Sequence, residues 1–252
     1  MKSLIKKYLF WILLVACIIS FFGQKDIRNI TDINPEVLDK PVQTEIFQPE
    51  EIQFQSNGYA YRVAPLFDYT LKGLIVSKFT YDILNTYKYG GVFPVDLCII
   101  WGNNVKNKVH LNRAVTFSQD CRWCNVWWLG KVDFNFNEIS NNHLVVKDAR
   151  IRRIINSLSA GDQVSIEGKL VNVKALLLKG AGSFDPREFE WKTSTTREDS
   201  GAGACETIYV EDIKILKKGN VFFHYLFLLS FYGLMALIVY KIVSFICEIR
   251  AE

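Results

Sequence analysis

The chain has 252 residues, of which 50% are hydrophobic and 22% are charged. This composition excludes disorder as the main state and fits one large domain or two small ones. The formal net charge is +4, but Lys2, Lys6 and Lys7 supply three positive charges ahead of the first apolar segment. Residues 24–219 carry 25 basic and 24 acidic side chains. This nearly neutral middle makes nucleic acid an unlikely partner, because affinity for phosphates comes mainly from Lys and Arg.

The N-terminal segment, residues 1–23, is predicted to be an uncleaved membrane anchor. Tyr8–Phe22 contains no charge but is short for a bilayer, which needs about 20 residues. A helix that starts at Leu4 is long enough if the adjacent lysines extend toward the headgroups. Two alternatives remain open. Leu14–Cys17 resembles a lipobox, in which Cys17 would be lipidated, and a basic start before an apolar stretch also fits a cleaved signal peptide.

The C-terminal segment, residues 220–252, is predicted to span the membrane. Val221–Tyr240 is twenty residues long and contains one ionisable side chain, His224. The basic residues that flank the two segments do not favour either orientation. Because the first helix usually dominates topology, we expect a two-pass protein of the bacterial inner membrane with both tails cytoplasmic. Residues 24–219 would then be extracytoplasmic.

Residues 24–57 are rich in Pro, Gln and Glu and predict a stalk or an arm packed along the domain. Residues 58–219 predict a β-rich domain, because short runs of Val, Ile, Tyr and Phe alternate with turn residues. Helical spacing appears in two places, Phe79–Tyr87 and Asp148–Leu158, the second with Asp148 as N-cap. The candidate strands are Tyr59–Val63, Tyr69–Ser77, Leu97–Trp101, Val109–Phe117, Val126–Val132, Val164–Val173 and Thr207–Leu216.

The order of elements in Asp148–Val173 resembles the second half of an OB-fold. An amphipathic helix leads through Ser159–Asp162 into a strand whose central Gly168 permits a sharp bend. Tyr69–Ser77, with Gly73 at its middle, would be the long bent first strand. The predicted fold class is therefore mainly β with one or two helices, an OB-like barrel flanked by terminal transmembrane helices.

Three phrases carry a family resemblance: Gly73–Ser77, Asp96–Gly102 and Ser194–Val210. In these phrases the chain resembles a group of uncharacterised bacterial membrane-anchored proteins. The resemblance implies the anchored architecture and transfers no catalytic residue.

Four cysteines lie in the predicted domain: Cys98, Cys121, Cys124 and Cys205. An even number in an oxidising compartment predicts two disulfides, with three possible pairings. Cys121 and Cys124 form a CxxC motif, which alternatively indicates a redox pair, half of a zinc site or free thiols.

The segment Lys179–Cys205 is a long loop with four glycines and many hydroxyls. It is interpreted as a solvated loop or as a site where backbone N–H groups bind an anion. Arg197, Asp199 and Glu206 would be its charged ligand contacts.

No catalytic constellation is evident in the sequence, and no catalytic residue, metal or cofactor is predicted. His110 or His143 could pair with a cysteine to make a nucleophile, but no local signature supports this. The leading hypothesis is a membrane-anchored, non-catalytic protein that binds a protein partner or an envelope ligand. One alternative is a thiol-redox or hydrolytic enzyme using Cys121 and Cys124 or the Arg197–Glu206 loop. The other is an oligonucleotide-binding OB module.

Overall fold

A computed structural model describes residues 2–56, 58–81, 93–120, 122–178, 187–199, 201 and 204–251. The chain divides into two compact units. Unit 1 consists of Met1–Asp26 and Gly219–Glu252, and unit 2 of Ile27–Lys218.

Unit 1 is an antiparallel pair of helices, α1 (Lys2–Gly23) and α4 (Val221–Ala251). Within the described residues, one helical segment is long and apolar enough to cross a membrane, Val221–Ser244. The apolar part of α1 is shorter, Tyr8–Gly23. Gly233 lets the helices approach, since a Cβ there would lie 3.1 Å from a methyl carbon of Leu13.

Unit 2 is mainly β with short helices, as its alternating apolar runs predicted. The helices are α2 (Gly102–Lys106) and α3 (Ala149–Ser157), and 3-10 turns cover Ile27–Asn29, Pro35–Leu38, Val109–Leu111 and Phe136–Glu138. The strands are β1 (Val42–Glu45), β2 (Ile52–Ser56), β3 (Tyr59–Thr80), β4 (Val95–Ile100), β5 (Val115–Asp120), β6 (Trp123–Trp128), β7 (Ile139–Val145), β8 (Gln163–Leu177), β9 (Glu188–Trp191) and β10 (Glu206–Lys217).

Five of these strands form a closed ring of pairings, in the order β3–β4–β7–β10–β8 and back to β3. The β7–β10 pair is parallel and the other four pairs are antiparallel. β1 and β2 add to β3, and β9 adds to β8. β5 and β6 form a separate hairpin. Residues 42–45 and 52–56, within the predicted stalk or arm, therefore pair with the long strand β3.

Two glycines allow the ring strands to approach closely. A Cβ at Gly168 in β8 would lie 2.1 Å from the carbonyl oxygen of Tyr209 in β10. A Cβ at Gly73 in β3 would lie 2.4 Å from a methyl carbon of Ile99 in β4. Both residues were identified from the sequence as points where a strand bends, and here their missing side chains make room for a neighbouring strand.

The predicted helix at Asp148–Leu158 is confirmed as α3. The side chain of Asp148 accepts hydrogen bonds from the backbone N–H groups of Arg150 (2.6 Å) and Ile151 (3.0 Å). These bonds hold the pKa of Asp148 below its usual value. Ile151 and Ile155 are buried in the largest hydrophobic cluster, together with residues of the ring strands.

Two other predicted elements differ from the structure. Phe79 and Thr80, the start of the predicted helix Phe79–Tyr87, belong to β3, and residues 82–87 lie outside the described residues. The predicted strand Val109–Phe117 begins as a 3-10 turn, with β5 starting only at Val115. In both segments the apolar residues suit more than one backbone conformation, so tertiary packing decides which conformation forms.

Candidate functional site

Three neighbouring ring strands bring Asp96, His143 and Cys205 together. Asp96 in β4 pairs directly with His143 in β7, so their side chains lie on the same face of the sheet. His143 also pairs with Thr207 in the parallel strand β10. Cys205 precedes Thr207 by two residues and therefore lies on the same side of that chain segment.

Asp96 holds the imidazole of His143 in place. Its Oδ1 lies 2.8 Å from Nδ1 of His143, and its Oδ2 accepts a 2.6 Å hydrogen bond from the hydroxyl of Tyr81. Both Asp96 and His143 are buried. Because Nδ1 faces Asp96, Nε2 is the ring nitrogen that remains for another partner.

His143 is the most strongly perturbed histidine in this part of the fold. Burial of the ring opposes protonation, but hydrogen bonds to Asp96 and Cys205 outweigh this effect and raise the pKa of His143 to about 9. The imidazole is therefore protonated at neutral pH.

An amide group also contacts the sulfur. The side-chain N–H₂ of Asn141 donates to Sγ of Cys205 (3.3 Å) and to the carbonyl oxygen of Arg122 (2.5 Å). The side-chain oxygen of Asn141 accepts a 2.5 Å hydrogen bond from Gln119 in the β5–β6 hairpin. With both ends bonded, the amide is fixed in orientation, with one donor directed at Cys205.

Cys205 is partly exposed and lines a cavity of about 320 Å³. This volume lies at the lower end of the range for small-molecule sites. The cavity is formed by β6, the start of β7 and the segment before β10. Its lining residues are Arg122, Trp123, Cys124, Asn125, Val126, Phe136, Ile139, Ser140, Asn141, Asp199, Gly201, Ala204 and Cys205.

The predicted domain cysteines have different environments. Cys98 and Cys124 form a disulfide, with a Cα–Cα distance of 5.5 Å. The second cysteine of the CxxC motif is therefore joined to a strand residue of β4 and not to Cys121. Cys205 has a free thiol, and Cys121 lies outside the described residues.

The predicted ligand contacts Arg197, Asp199 and Glu206 are partly engaged with the protein itself. Arg197 forms an ion pair with the buried Glu206, and its guanidinium lies 5.3 Å from the ring centroid of Tyr69. Burial raises the pKa of Tyr69 to about 12, although Arg197 opposes the rise. Asp199 accepts a 2.6 Å hydrogen bond from Ser194 and lines the cavity. Of the three, Asp199 is the one that lines the cavity together with Cys205, and a ligand role for them stays a prediction.

His110 lies apart from this site. Its Nε2 is 2.9 Å from the carbonyl oxygen of Ile30, and burial lowers its pKa. Within the described ranges, no group of three His, Cys, Asp or Glu residues is arranged to hold a metal ion.

Sequence reasoning missed Asp96 and the pairing of His143 with Cys205. One signal was present, because Asp96 is a carboxylate inside an otherwise apolar strand, and a buried acid needs a partner. No protein-family model, curated protein or solved structure matches the chain.

Proposed function

We propose that unit 2 is a cysteine-dependent acyl-transfer enzyme. The observation that carries this proposal is that the register of β4, β7 and β10 places a buried carboxylate, Asp96, 2.8 Å from the imidazole of His143 and beside the free thiol of Cys205. A nucleophile, a base and a group that orients the base are the three parts of nucleophilic acyl transfer, and they recur on unrelated folds.

In this mechanism the thiolate of Cys205 attacks the carbonyl carbon of an ester, thioester or amide. A carbon–sulfur bond forms, and the bond between the carbonyl carbon and the leaving group breaks. The protonated His143 gives its proton to the leaving group and later takes a proton from the water or acceptor that releases the acyl group. Asp96 positions His143 and stabilises its cationic form throughout.

Asn141 is suited to stabilise the oxygen that becomes negative during attack. Its N–H₂ group is fixed by Gln119 and Arg122 and points at the sulfur. The developing oxyanion would form on the carbon bonded to that sulfur, within reach of the same donor. A fixed donor of this kind typically contributes two to three orders of magnitude in rate.

We also propose that the ring of five strands is an OB-like barrel. Support comes from the pairing order, the parallel β7–β10 pair and the position of α3 between β7 and β8. For unit 1, we propose a two-pass anchor in the bacterial inner membrane with both tails cytoplasmic. The antiparallel packing of α1 on α4 supports this arrangement, since it places both chain ends at the same end of the pair.

The experiment uses the full chain in detergent with p-nitrophenyl acetate as the acyl donor. We expect a burst of nitrophenol and one acetyl group on the peptide that contains Cys205. Cys205→Ala abolishes the burst, and His143→Gln slows it at least about 100-fold. The matched control is Cys17→Ser with Cys247→Ser, which removes the other two free thiols of the described residues and leaves the burst intact.

Two results would overturn the proposal. One is an acetylation rate of Cys205 that does not depend on His143. The other is a disulfide at Cys205 in protein isolated from membranes without reductant. Either result would leave the non-catalytic binding hypothesis as the better account of the domain.

A further inference from the structure

The cavity beside Cys205 is lined by both polar and apolar side chains. The polar ones include Ser140, Asn141 and Asp199. The apolar ones include Trp123, Val126, Phe136 and Ile139. A ligand that fills the cavity therefore meets both hydrogen-bonding groups and hydrocarbon surface.

Two of the apolar lining residues are unusually exposed for their size. The exposed fraction is 59% for Phe136 and 45% for Trp123. The same region of the fold also exposes Trp127 and Leu129, at the end of the β5–β6 hairpin. Partly exposed apolar side chains that line a cavity are typical of a ligand-binding site, because bound ligand covers surface that otherwise faces water.

Charge at the cavity is balanced. Arg122 and Asp199 are the two charged residues that line it, and the guanidinium of Arg122 lies 4.3 Å from the ring centroid of Trp191. The Arg122 side chain is thus occupied with an aromatic face. A site with one residue of each sign gives no net attraction for a strongly charged substrate.

We infer that the acyl donor carries a hydrocarbon chain, an inference that rests on the proposed acyl-transfer function. The reacting carbonyl lies beside Cys205 and Asn141, and the chain lies against apolar lining residues such as Phe136. Each methylene that leaves water contributes about 0.8 kcal/mol, so a chain of several carbons is distinguished from an acetyl group. The cavity has a volume of about 320 Å³.

The source of the acyl chain is either a soluble acyl thioester or a membrane phospholipid. Both contain an activated carbonyl next to an apolar chain. A protein that carries a bilayer-length helix, Val221–Ser244, is held where amphiphilic molecules of both kinds concentrate.

The test compares p-nitrophenyl acetate and p-nitrophenyl octanoate on the full chain in detergent. Each rate of Cys205 acylation is divided by the rate of the same ester with free glutathione. We expect this normalised rate to be at least about tenfold higher for octanoate. Phe136→Ala lowers the octanoate-to-acetate ratio at least about threefold. Phe47→Ala is the matched control, because Phe47 is 89% exposed and does not line the cavity, and it leaves the ratio unchanged.

The outcomes separate the two proposals. Acylation of Cys205 through His143 with equal normalised rates for both esters would overturn the chain inference and leave the acyl-transfer function standing. If neither ester acylates Cys205, both the chain inference and the acyl-transfer function are overturned. Near-UV circular dichroism of Phe136→Ala verifies that a changed octanoate-to-acetate ratio does not come from misfolding.

Two further experiments offer the protein either an octanoyl thioester or vesicles of radiolabelled phospholipid. The experiment in which Cys205 becomes acylated identifies the source of the acyl chain.

Discussion

Replacing Asp96 by Asn tests the electrostatics of the site directly. The change keeps the shape of the side chain but removes the charge 2.8 Å from Nδ1 of His143. Burial still opposes protonation of His143, and of the two groups that raise its pKa only Cys205 remains, so the pKa falls from about 9.

The magnitude follows from linkage between protonation and folding. A pKa raised in the folded state stabilises the fold fully below the unfolded value of 6.5, and this stability is lost as the pH rises through about 9. One pKa unit corresponds to about 1.4 kcal/mol, so the full contribution of His143 is about 3 kcal/mol. Between pH 6.5 and pH 8 the free energy of unfolding should fall by about 1.5 kcal/mol in the wild type and by clearly less in Asp96→Asn.

The assay is urea denaturation of the full chain in detergent at pH 6.5, 7.2 and 8, followed by near-UV circular dichroism. His110→Gln is the control, because burial lowers the pKa of His110, whereas the pKa of His143 is raised. The His110→Gln protein should show the same change of unfolding free energy with pH as the wild type. An Asp96→Asn protein with the same pH slope as the wild type would refute the reasoning, because the proton on His143 would then not depend on Asp96.

Three further predictions concern the scaffold and are checked by the same denaturation assay at fixed pH. Gly168→Ala should cost more than about 2 kcal/mol, because its Cβ would lie 2.1 Å from the backbone oxygen of Tyr209; a loss under 0.5 kcal/mol would contradict this close approach. Ile155→Ala should cost about 2–5 kcal/mol, because the fully buried side chain leaves a cavity in the main core. Removing the disulfide by Cys98→Ala with Cys124→Ala should cost about 3 kcal/mol, since it closes a loop with a sequence separation of 26; an unchanged unfolding midpoint would show that the disulfide is absent in the isolated protein.

The sequence predicted those parts of the fold that depend on interactions between residues close together in the chain. Helix α3 followed from the spacing of Ile151 and Ile155 behind an N-cap at Asp148, and all the interactions involved lie within ten residues. The apolar helix at Val221–Ser244 followed from composition alone. Gly168 was identified because a glycine in the middle of a strand needs a reason, although its actual neighbour, Tyr209, could not be named without the pairing.

The site could not be predicted because its geometry depends on strand register. Asp96, His143 and Cys205 lie in three different segments, and a shift of one residue in either pairing would place one side chain on the opposite face. The ring strands also contain register irregularities, such as the one between Ile75 and Ser77, which sequence patterns do not reveal. The cysteine count indicated disulfides, and so it directed attention away from Cys205 as a thiol.

The buried acids of unit 2 show why Asp96 is assigned to chemistry and the others to structure. In the described part of the chain, four carboxylates are buried. Glu138 accepts backbone N–H groups at the start of α2, Asp162 pairs with Lys218, and Glu206 pairs with Arg197. The partners of Asp162 and Glu206 are a lysine and an arginine, so we assign these two ion pairs a structural role.

Asp96 differs in the nature of its partner. A histidine can gain or lose its proton under physiological conditions, and the strand register places this one near Cys205, which lines a cavity. Burying a charged pair costs desolvation energy that well-packed apolar side chains would avoid. If the pair served only stability, a double replacement of Asp96 and His143 by apolar residues would fold at least as well and react equally at Cys205. We expect the doubly substituted protein to fold and to lose the burst of Cys205 acylation, which separates the chemical role of the pair from its structural one.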